Sequence, residues 1–306
     1  MSDNHTSNPS RLFASVTSPY VALAFAILLW GGNFVVGRLA NLDAPPVALS
    51  FWRHVLAAVL VAPFVARLLV RDWPVIRRHF FMFAVMSALF VAGNTLVYFA
   101  ILETTVINAA LINAGLPVAA VFFSWLILRD LIDRFQALGI ALCFGGIVMV
   151  VTRADAGILL GLEFGWGDVF MFLAILAWAL YMVLLKYAGI KVSPWTLLFV
   201  LSAGGAVWLV PAYAIETGQD KVIVWSWLTC GSLLYVALFS TIIAWACWNY
   251  GTLRLGPNRA SSFMSLHPIF GSALGMIFFA EALQPFHAVG TILALIGVYL
   301  VSRPKR

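Results

Sequence analysis

Long apolar runs separated by short polar connections dominate the chain. An α-helix needs roughly 20 mostly apolar residues to cross the hydrocarbon core of a bilayer. Ten segments of about this length are predicted, at 20–38, 46–68, 79–101, 107–128, 135–152, 168–187, 194–214, 228–251, 258–279 and 285–302. Transmembrane strands would be about ten residues long and would alternate apolar with polar positions, and these runs do neither.

Composition supports lipid as the solvent of this chain. Hydrophobic residues make up 63% of it and charged residues only 10%, whereas soluble proteins carry about 25% charged residues. The sequence therefore predicts an all-α integral membrane protein. The polar residues 1–18 are expected to be disordered, and residues 303–306 form a short basic tail. The first apolar run is too long for a cleaved signal peptide and is expected to stay in the membrane.

The positive charges indicate an orientation. If the N-terminus is cytoplasmic, most of the 18 Lys and Arg residues fall on the cytoplasmic side of the predicted helices. The positive-inside rule then places both termini in the cytoplasm. The net charge of +6 follows from this topology. Binding to nucleic acid is not expected, because no basic run is long enough to form a binding stripe.

The two halves of the chain resemble each other. Shifts of 148 and 151 residues superpose similar residues in sequence: Trp30 and Trp178, Arg38 and Lys186, Pro46 and Pro194, Pro63 and Pro211, Pro117 and Pro268, Asp130 and Glu281, Gly139 and Gly290, Gly146 and Gly297. Each half contains five predicted helices, so the second half crosses the membrane in the opposite sense. We therefore predict two inverted five-helix repeats, at 19–153 and 154–302, an architecture of secondary transporters that bind substrate between the halves.

Two prolines interrupt helices at equivalent places. In "NAGLPVAAVFF" (113–123), Pro117 cannot donate a backbone hydrogen bond to the carbonyl four residues earlier, and Pro268 repeats the pattern. Irregular backbone at membrane depth is tolerated where it lines a cavity or is packed in protein. We predict that the two prolines are hinges beside a cavity; static kinks that improve packing are the other interpretation. The polar residues beside them are Asn113, Ser265 and His267.

Several segments resemble a known family. They are "LLWGGNFVVGR", "PPVALSFWRHVLAA" and "NAALINAGLPVAAVFFSWLILRDLIDRFQALGIALCFGGIVMV", with the last echoed by "RASSFMSLHPIFGSALGMIFFAEALQPFHAVGTILALIGVYLV". The chain resembles the drug/metabolite transporter superfamily in its ten-helix EamA branch, over about residues 20–302. The resemblance implies transport of metabolites such as amino acids across the bacterial inner membrane, often outward, without a cofactor.

Polar and aromatic residues at membrane depth are the candidates for a substrate path, because lipid cannot satisfy them. They form stripes at helical spacing on the first, third, sixth and eighth helices, in pairs related by the repeat. With the residues beside the prolines, the predicted substrate-binding set is Trp30, Asn33, Asn94, Tyr98, Asn113, Trp178, Tyr181, Trp245, Asn249, Ser265 and His267. Aromatic walls with a few amides and hydroxyls suit an aromatic or other neutral amino acid. Helix-to-helix hydrogen bonding and interfacial anchoring are the alternatives.

Ionisable side chains at membrane depth indicate whether transport is coupled to the movement of protons. A proton-driven transporter usually relies on an intramembrane carboxylate or histidine, and no carboxylate lies near the centre of a predicted helix. Facilitated diffusion or exchange is therefore favoured, while His267 keeps a proton-coupled drug or metabolite antiporter open. A neutral packing histidine is the other interpretation. Arg53 is expected to extend to the interface or to form a structural ion pair; contact with a substrate carboxylate is the alternative.

Other classes of protein fit less well. Five scattered histidines form no HExxH motif, and no acid pair or phosphate-binding loop is present, so neither an enzyme nor a metal site is expected. A channel would need a ring of charges or a filter-like loop. A purely structural scaffold would not need symmetric breaks with polar stripes. The expected partners are a small-molecule substrate and the bilayer, and the protein is expected to be a monomer.

Overall fold

The computed structural model describes residues 18–155, 165–255 and 263–301, and all regular structure in these ranges is helical. With α4 and α8 each taken as one interrupted helix, the helices are α1 Pro19–Ala40, α2 Pro46–Arg78, α3 Phe80–Glu103, α4 Val106–Leu128, α5 Arg134–Val151, α6 Trp166–Ala188, α7 Pro194–Gly218, α8 Trp227–Leu255, α9 Leu266–Phe279 and α10 Pro285–Val301.

Eight of these helices, α1 to α8, are long and apolar enough to cross a membrane, whereas α9 and α10 are shorter. This confirms an all-helical membrane protein. Ten crossings and cytoplasmic termini stay predictions. The N-terminal residues 1–17, the tail from 302 onward and residues 258–262 of the predicted ninth span lie outside the described residues.

The helices α2 and α7 run antiparallel, and each supplies an acidic side chain that accepts hydrogen bonds from the start of the other. Near the end of α7, Glu216 accepts hydrogen bonds from the backbone nitrogens of Val47 (3.3 Å) and Ala48 (2.8 Å). Near the end of α2, Asp72 accepts from the backbone nitrogen of Ser193 (2.9 Å) and the hydroxyl of Thr196 (2.7 Å). Such partners matter because the first turn of a helix has backbone N–H groups without intrahelical acceptors.

The structure corrects the predicted end of the second helix. The sequence predicted an end at residue 68, where the apolar run gives way to charge, but α2 continues to Arg78 and contains Pro63 and Pro74. Two buried residues hold this extension against the bundle. Asp72 is bonded to the start of α7, and Ile76 is buried in an apolar cluster. Packing and capping therefore outweigh the polar sequence here.

The crossing of α5 and α10 shows the symmetry of the two repeats. A Cβ atom built on Gly146 would lie 2.6 Å from the carbonyl oxygen of Gly290, and one built on Gly297 would lie 2.5 Å from that of Gly139. The repeat alignment places Gly139 on Gly290 and Gly146 on Gly297. The two close contacts therefore exchange under the repeat, as a pseudo-twofold axis requires.

Two ion pairs are also related to each other by the repeat. Arg38 Nη1 lies 2.6 Å from Glu281 Oε1, and Lys186 Nζ lies 3.1 Å from Asp130 Oδ2. The repeat alignment superposes the two basic residues and also superposes the two acidic residues. Each pair joins one half of the chain to the other. We call them the α1 pair (Arg38 and Glu281) and the α6 pair (Lys186 and Asp130).

The two pairs lie at opposite ends of the bundle. The end of α3 meets the start of α6, where the Thr104 hydroxyl donates to Asp168 at 2.6 Å. Glu281 is at this same end, because it accepts from the backbone nitrogen of Val106 (2.9 Å) at the start of α4. Lys186 lies in the last turn of α6, and therefore at the other end. This arrangement is the geometry of an inverted repeat.

The backbone is irregular just before both candidate hinges. The first segment of α4 ends at Asn113, and the second segment, Leu116–Phe123, carries Pro117 in its first turn. In the second half, a 3₁₀ turn Phe263–Ser265 precedes α9, and Pro268 lies in the first turn of α9. The two irregularities occupy equivalent positions in the repeats. Motion at the prolines stays a prediction.

We predict that adding a methyl group destabilises the protein at one of two neighbouring glycines of α5 and not at the other. The Gly146→Ala substitution places a Cβ against the backbone of α10, and such overpacking costs about 1–3 kcal/mol. Gly145→Ala is the matched control, because nothing lies within 4 Å of its Cβ position. Thermal unfolding of the purified protein in detergent should give a lower midpoint for Gly146→Ala alone. Equal midpoints would contradict the close crossing.

Candidate functional site

A buried polar cluster surrounds Arg53 of α2. Only 5% of this arginine is exposed. Its Nε donates to the hydroxyl of Thr241 at 2.8 Å, and its Nη1 donates to Asn33 Oδ1 at 3.1 Å and to the Tyr98 hydroxyl at 2.9 Å. The Tyr98 hydroxyl lies 3.2 Å from Asn33 Oδ1 and donates to it. We call these four residues the Arg53 cluster.

Four helices from both halves build this cluster. Asn33 lies on α1, Arg53 on α2 and Tyr98 on α3, while Thr241 comes from α8 in the second repeat. Thr241 lies in a π-helical stretch, Tyr235–Ile243, and donates to the carbonyl oxygen of Val236 at 2.7 Å. Single π-helical turns are rare in α-helices and occur frequently at functional sites. The cluster therefore joins the repeats at an irregular point of α8.

The position of Arg53 corrects the sequence prediction. It does not extend to the membrane interface, since its side chain is buried. It forms no ion pair either, because none of the salt bridges of the described ranges includes it. The three groups that accept its hydrogen bonds are neutral. A buried charge without a counter-charge is costly, and at membrane depth such residues usually mark functional sites.

An aromatic group lies along the same face of α3. The Phe90 ring lies 4.9 Å from the Trp178 ring and 5.7 Å from the Tyr181 ring, and these last two rings are 5.8 Å apart. We call these three residues the aromatic wall. Phe90, Asn94 and Tyr98 are spaced four apart and so share one face of α3. That face connects the aromatic wall to the Arg53 cluster.

Trp30 bonds to α8 at the residue before Thr241. Its indole nitrogen donates to the carbonyl oxygen of Ser240 at 3.0 Å, and its ring lies 5.4 Å from that of Trp248. Both partners are on α8, so Trp30 joins α1 to α8. It neighbours the Arg53 cluster through the chain, since Asn33 is one helical turn away. Among the described residues, no hydrogen bond joins the Trp30 side chain to a residue of the cluster.

The remaining amides bond to their own helices. Asn94 Nδ2 donates to the carbonyl oxygen of Phe90 at 2.8 Å, and Asn249 Nδ2 donates to that of Trp245 at 2.7 Å. The indole nitrogen of Trp245 is buried and has no hydrogen-bond partner in the described part of the chain. These side chains are therefore placed near the bundle interior, but the structure does not bring them into the Arg53 cluster.

Asn113 and His267, which lie beside the prolines, form no hydrogen bond with the Arg53 cluster in the described part of the chain. Asn113 ends the first segment of α4 and is half-buried. His267 is buried, its ring lies 5.2 Å from that of Phe34, and its Nδ1 has no hydrogen-bond partner among the described residues. The side chain of Ser265 lies outside the described part of the structure. Their role in substrate binding stays a prediction.

Two residues of this region, Thr241 and Phe90, were not predicted from the sequence. Arg53 was expected at the interface or in an ion pair, with contact to a substrate carboxylate as the alternative. A signal for Arg53 was available, because it is a lone charge inside an otherwise apolar segment. Thr241 and Phe90 carry no such signal, since threonine and phenylalanine are ordinary residues of membrane helices.

The buried acids lie at helix ends, away from Arg53. Asp72, Asp168 and Glu216 are all buried, and each accepts hydrogen bonds at the end of a helix. Within the described ranges, no group of three His, Cys, Asp or Glu side chains is placed to hold a metal ion. The chemistry of the site is therefore that of a cation, neutral hydrogen-bonding groups and aromatic rings.

Comparison with known proteins agrees with this arrangement of two halves. The model of the EamA-like transporter family matches twice, at residues 17–152 and 165–303. The chain belongs to the EamA-like transporter family. It is a multi-pass membrane protein of a transporter family, as the resemblance in sequence implied.

Individual relatives are distant in sequence but similar in extent. An uncharacterized transporter of Archaeoglobus fulgidus is 26% identical over 299 residues, covering 92% of this chain and 96% of the relative. The uncharacterized transporter YyaM of Bacillus subtilis is 24% identical over 289 residues, covering 92% and 93%. A solved structure described as "Crystal structure of protein" matches with a TM-score of 0.59 at 17% identity, covering 92% and 95%, which shows a shared fold.

We predict that the aromatic wall contributes to substrate binding. Replacing Trp178 by Ala removes one ring of the wall. The loss of one aromatic contact with the substrate, worth roughly 0.5–1.5 kcal/mol, should lower transport in proteoliposomes about twofold to tenfold. Trp73→Ala is the control, because Trp73 is 56% exposed. Equal transport by Trp178→Ala and wild type, at equal protein incorporation, would remove the wall from the site.

Proposed function

We propose that this protein is a secondary transporter that exports aromatic and other neutral amino acids through a central site by alternating access. Transport is uncoupled, by facilitated diffusion or exchange, and the membrane is the bacterial inner membrane. The working unit is a monomer with both termini in the cytoplasm. Membership of the EamA-like transporter family supports the general class.

One observation carries the proposal: the Arg53 cluster lies between the two repeats. Asn33, Arg53 and Tyr98 come from the first half, and Thr241 comes from the second. Secondary transporters with inverted repeats bind substrate at the interface between the repeats. The aromatic wall supplies an apolar surface near the same place. A polar centre beside aromatic rings suits an amino acid with an apolar or aromatic side chain.

The α1 and α6 pairs support alternating access. The side chains of the α1 pair are 33% and 9% exposed, whereas those of the α6 pair are 66% and 46% exposed. Two equivalent links at opposite ends of the bundle thus differ in burial. We propose that this conformer is closed at the end of the α1 pair, and that the alternate conformer exchanges the two environments.

Uncoupled transport is favoured over proton antiport through His267. The histidine packs edge-on against Phe34, and no acidic side chain contacts it in the described ranges. A proton relay through the membrane usually needs a series of ionisable groups. His267 remains the residue to test if transport proves to depend on a proton gradient.

We predict saturable uptake of labelled phenylalanine and threonine by proteoliposomes, with the same rate with and without a pH gradient. Saturation separates a carrier from a channel, and protein-free liposomes are the control. Movement of a cationic dye that depends on the gradient, without amino-acid uptake, would instead establish a drug/proton antiporter. Absence of flux for every solute in correctly reconstituted protein would contradict transport of this class.

We also predict that the two ion pairs act differently. A cysteine at Leu274 of α9, in a Cys230→Ser background, reports access at the end of the α1 pair. Arg38→Gln should speed its labelling by an impermeant maleimide severalfold, because the substitution removes the closing contact. Lys186→Gln is the matched variant at the equivalent position and should slow labelling or leave it unchanged. Equal acceleration by both variants would contradict the assignment.

A further inference from the structure

We infer that Arg53 is the receptor for a carboxylate group of the transported solute. The inference rests on the proposed transport function and adds the chemical class that the site accepts. Its basis is a buried guanidinium that has three neutral partners and, among the described residues, no acidic one.

The hydrogen bonds of Arg53 leave donors for a ligand. A guanidinium has five N–H groups. Nε uses its one to reach Thr241, and Nη1 uses its two to reach Asn33 and Tyr98. Neither Nη2 of Arg53 nor Nδ2 of Asn33 has a hydrogen-bond acceptor in the part of the chain that the structure describes. A carboxylate has two oxygens that can accept hydrogen bonds from such donors.

The protein partners fix the guanidinium without neutralising it. The Thr241 hydroxyl donates its own hydrogen to the carbonyl oxygen of Val236, and the Tyr98 hydroxyl donates to Asn33. Both oxygens can therefore only accept from Arg53. A neutral side chain could join the repeats at this point without the several kcal/mol that burying a charge costs. A bound carboxylate compensates that cost and forms a charge-assisted hydrogen bond.

The surroundings indicate the rest of the ligand. Next to Arg53, the ring of His54 lies 5.5 Å from that of Phe90, the first residue of the aromatic wall. An apolar or aromatic side chain can follow this face while the carboxylate stays at Arg53. Simple monocarboxylates and α-amino acids share this chemistry, and ligands with and without an amino group distinguish them.

The test measures binding to the purified full-length protein in detergent by its thermal unfolding midpoint. Phenylalanine, 3-phenylpropionate and phenylalaninamide are the probes, since the last lacks a carboxylate. We expect phenylalanine to raise the midpoint and the amide to leave it unchanged. A rise with 3-phenylpropionate as well identifies the carboxylate as sufficient, and its absence shows that the amino group is also required. Equal stabilisation by the amide, or no stabilisation by either carboxylate, overturns the inference.

Two variants test Arg53 itself. Arg53→Gln should raise the apparent dissociation constant for phenylalanine about tenfold or more, since hydrogen bonds to charged groups contribute roughly 1.5–3 kcal/mol. Asn33→Asp is nearly isosteric and places a permanent carboxylate beside Arg53, so it should fold and yet lose phenylalanine binding. Arg67→Gln is the control, because Arg67 is exposed on the same helix. Wild-type binding by folded Asn33→Asp overturns the inference.

The proposed transport function and carboxylate binding at Arg53 can be contradicted by different results. If the midpoint responds to carboxylates as expected but proteoliposomes show no flux, Arg53 is a carboxylate receptor and the proposed transport function is wrong. If a solute without a carboxylate is transported and no carboxylate raises the midpoint, transport stands and the role of Arg53 is wrong.

Discussion

A bilayer offers no hydrogen bonds, and this constraint organises the whole structure. In the hydrocarbon core, every backbone group that a helix leaves unsatisfied must find a partner within the protein, and a helix start that other helices bury has the same need. The chain meets this need with acids from distant segments. Glu216 serves the start of α2, Asp72 serves the start of α7, and Glu281 serves the start of α4. These bonds join helices far apart in sequence, so the interactions that satisfy helix ends also hold the two repeats together.

The same constraint makes the Arg53 cluster unusual. Elsewhere in the described structure the charged groups that form salt bridges are paired with acids, and the buried acids receive backbone or hydroxyl hydrogens. Among the described residues, Arg53 is the one Lys or Arg that is buried, and its three hydrogen-bond partners are all neutral. Three hydrogen bonds fix the position of its side chain. Because the side chain is already ordered, ligand binding would cost less conformational entropy.

Much of the fold could be predicted from the sequence, because it depends on patterns that the sequence displays directly. Apolar length predicts the helices, and repeat-related residues such as Gly146 and Gly297 indicated the symmetry that the α5–α10 crossing shows. Asn33 and Tyr98, singled out as polar groups at membrane depth, lie in the Arg53 cluster, and substrate binding by them stays a prediction. The predicted end of the second helix was wrong, because Asp72 is stabilised by α7, a partner that lies far away in sequence.

The direction of side chains could not be predicted. Helical spacing places Trp30 and Asn33 on one face, but it does not give their partners: Trp30 bonds to a carbonyl of α8 and Asn33 bonds to Arg53. A long side chain such as that of Arg53 can extend outward or inward from the same backbone position. Its choice depends on Thr241, and the π-helical stretch that places this hydroxyl has no recognisable pattern in the sequence.

The cluster also breaks the symmetry of the repeats in an informative way. The shift of 148 residues places Arg53 on Leu201, which is fully buried in an apolar cluster with Phe90 and Tyr181. The first repeat therefore supplies the charge, while two of the three residues of the aromatic wall belong to the second. A solute with a charged end and an apolar end would bind in one orientation. In the proposed mechanism the symmetric helices exchange two conformers, and the asymmetric side chains determine how the solute lies between them.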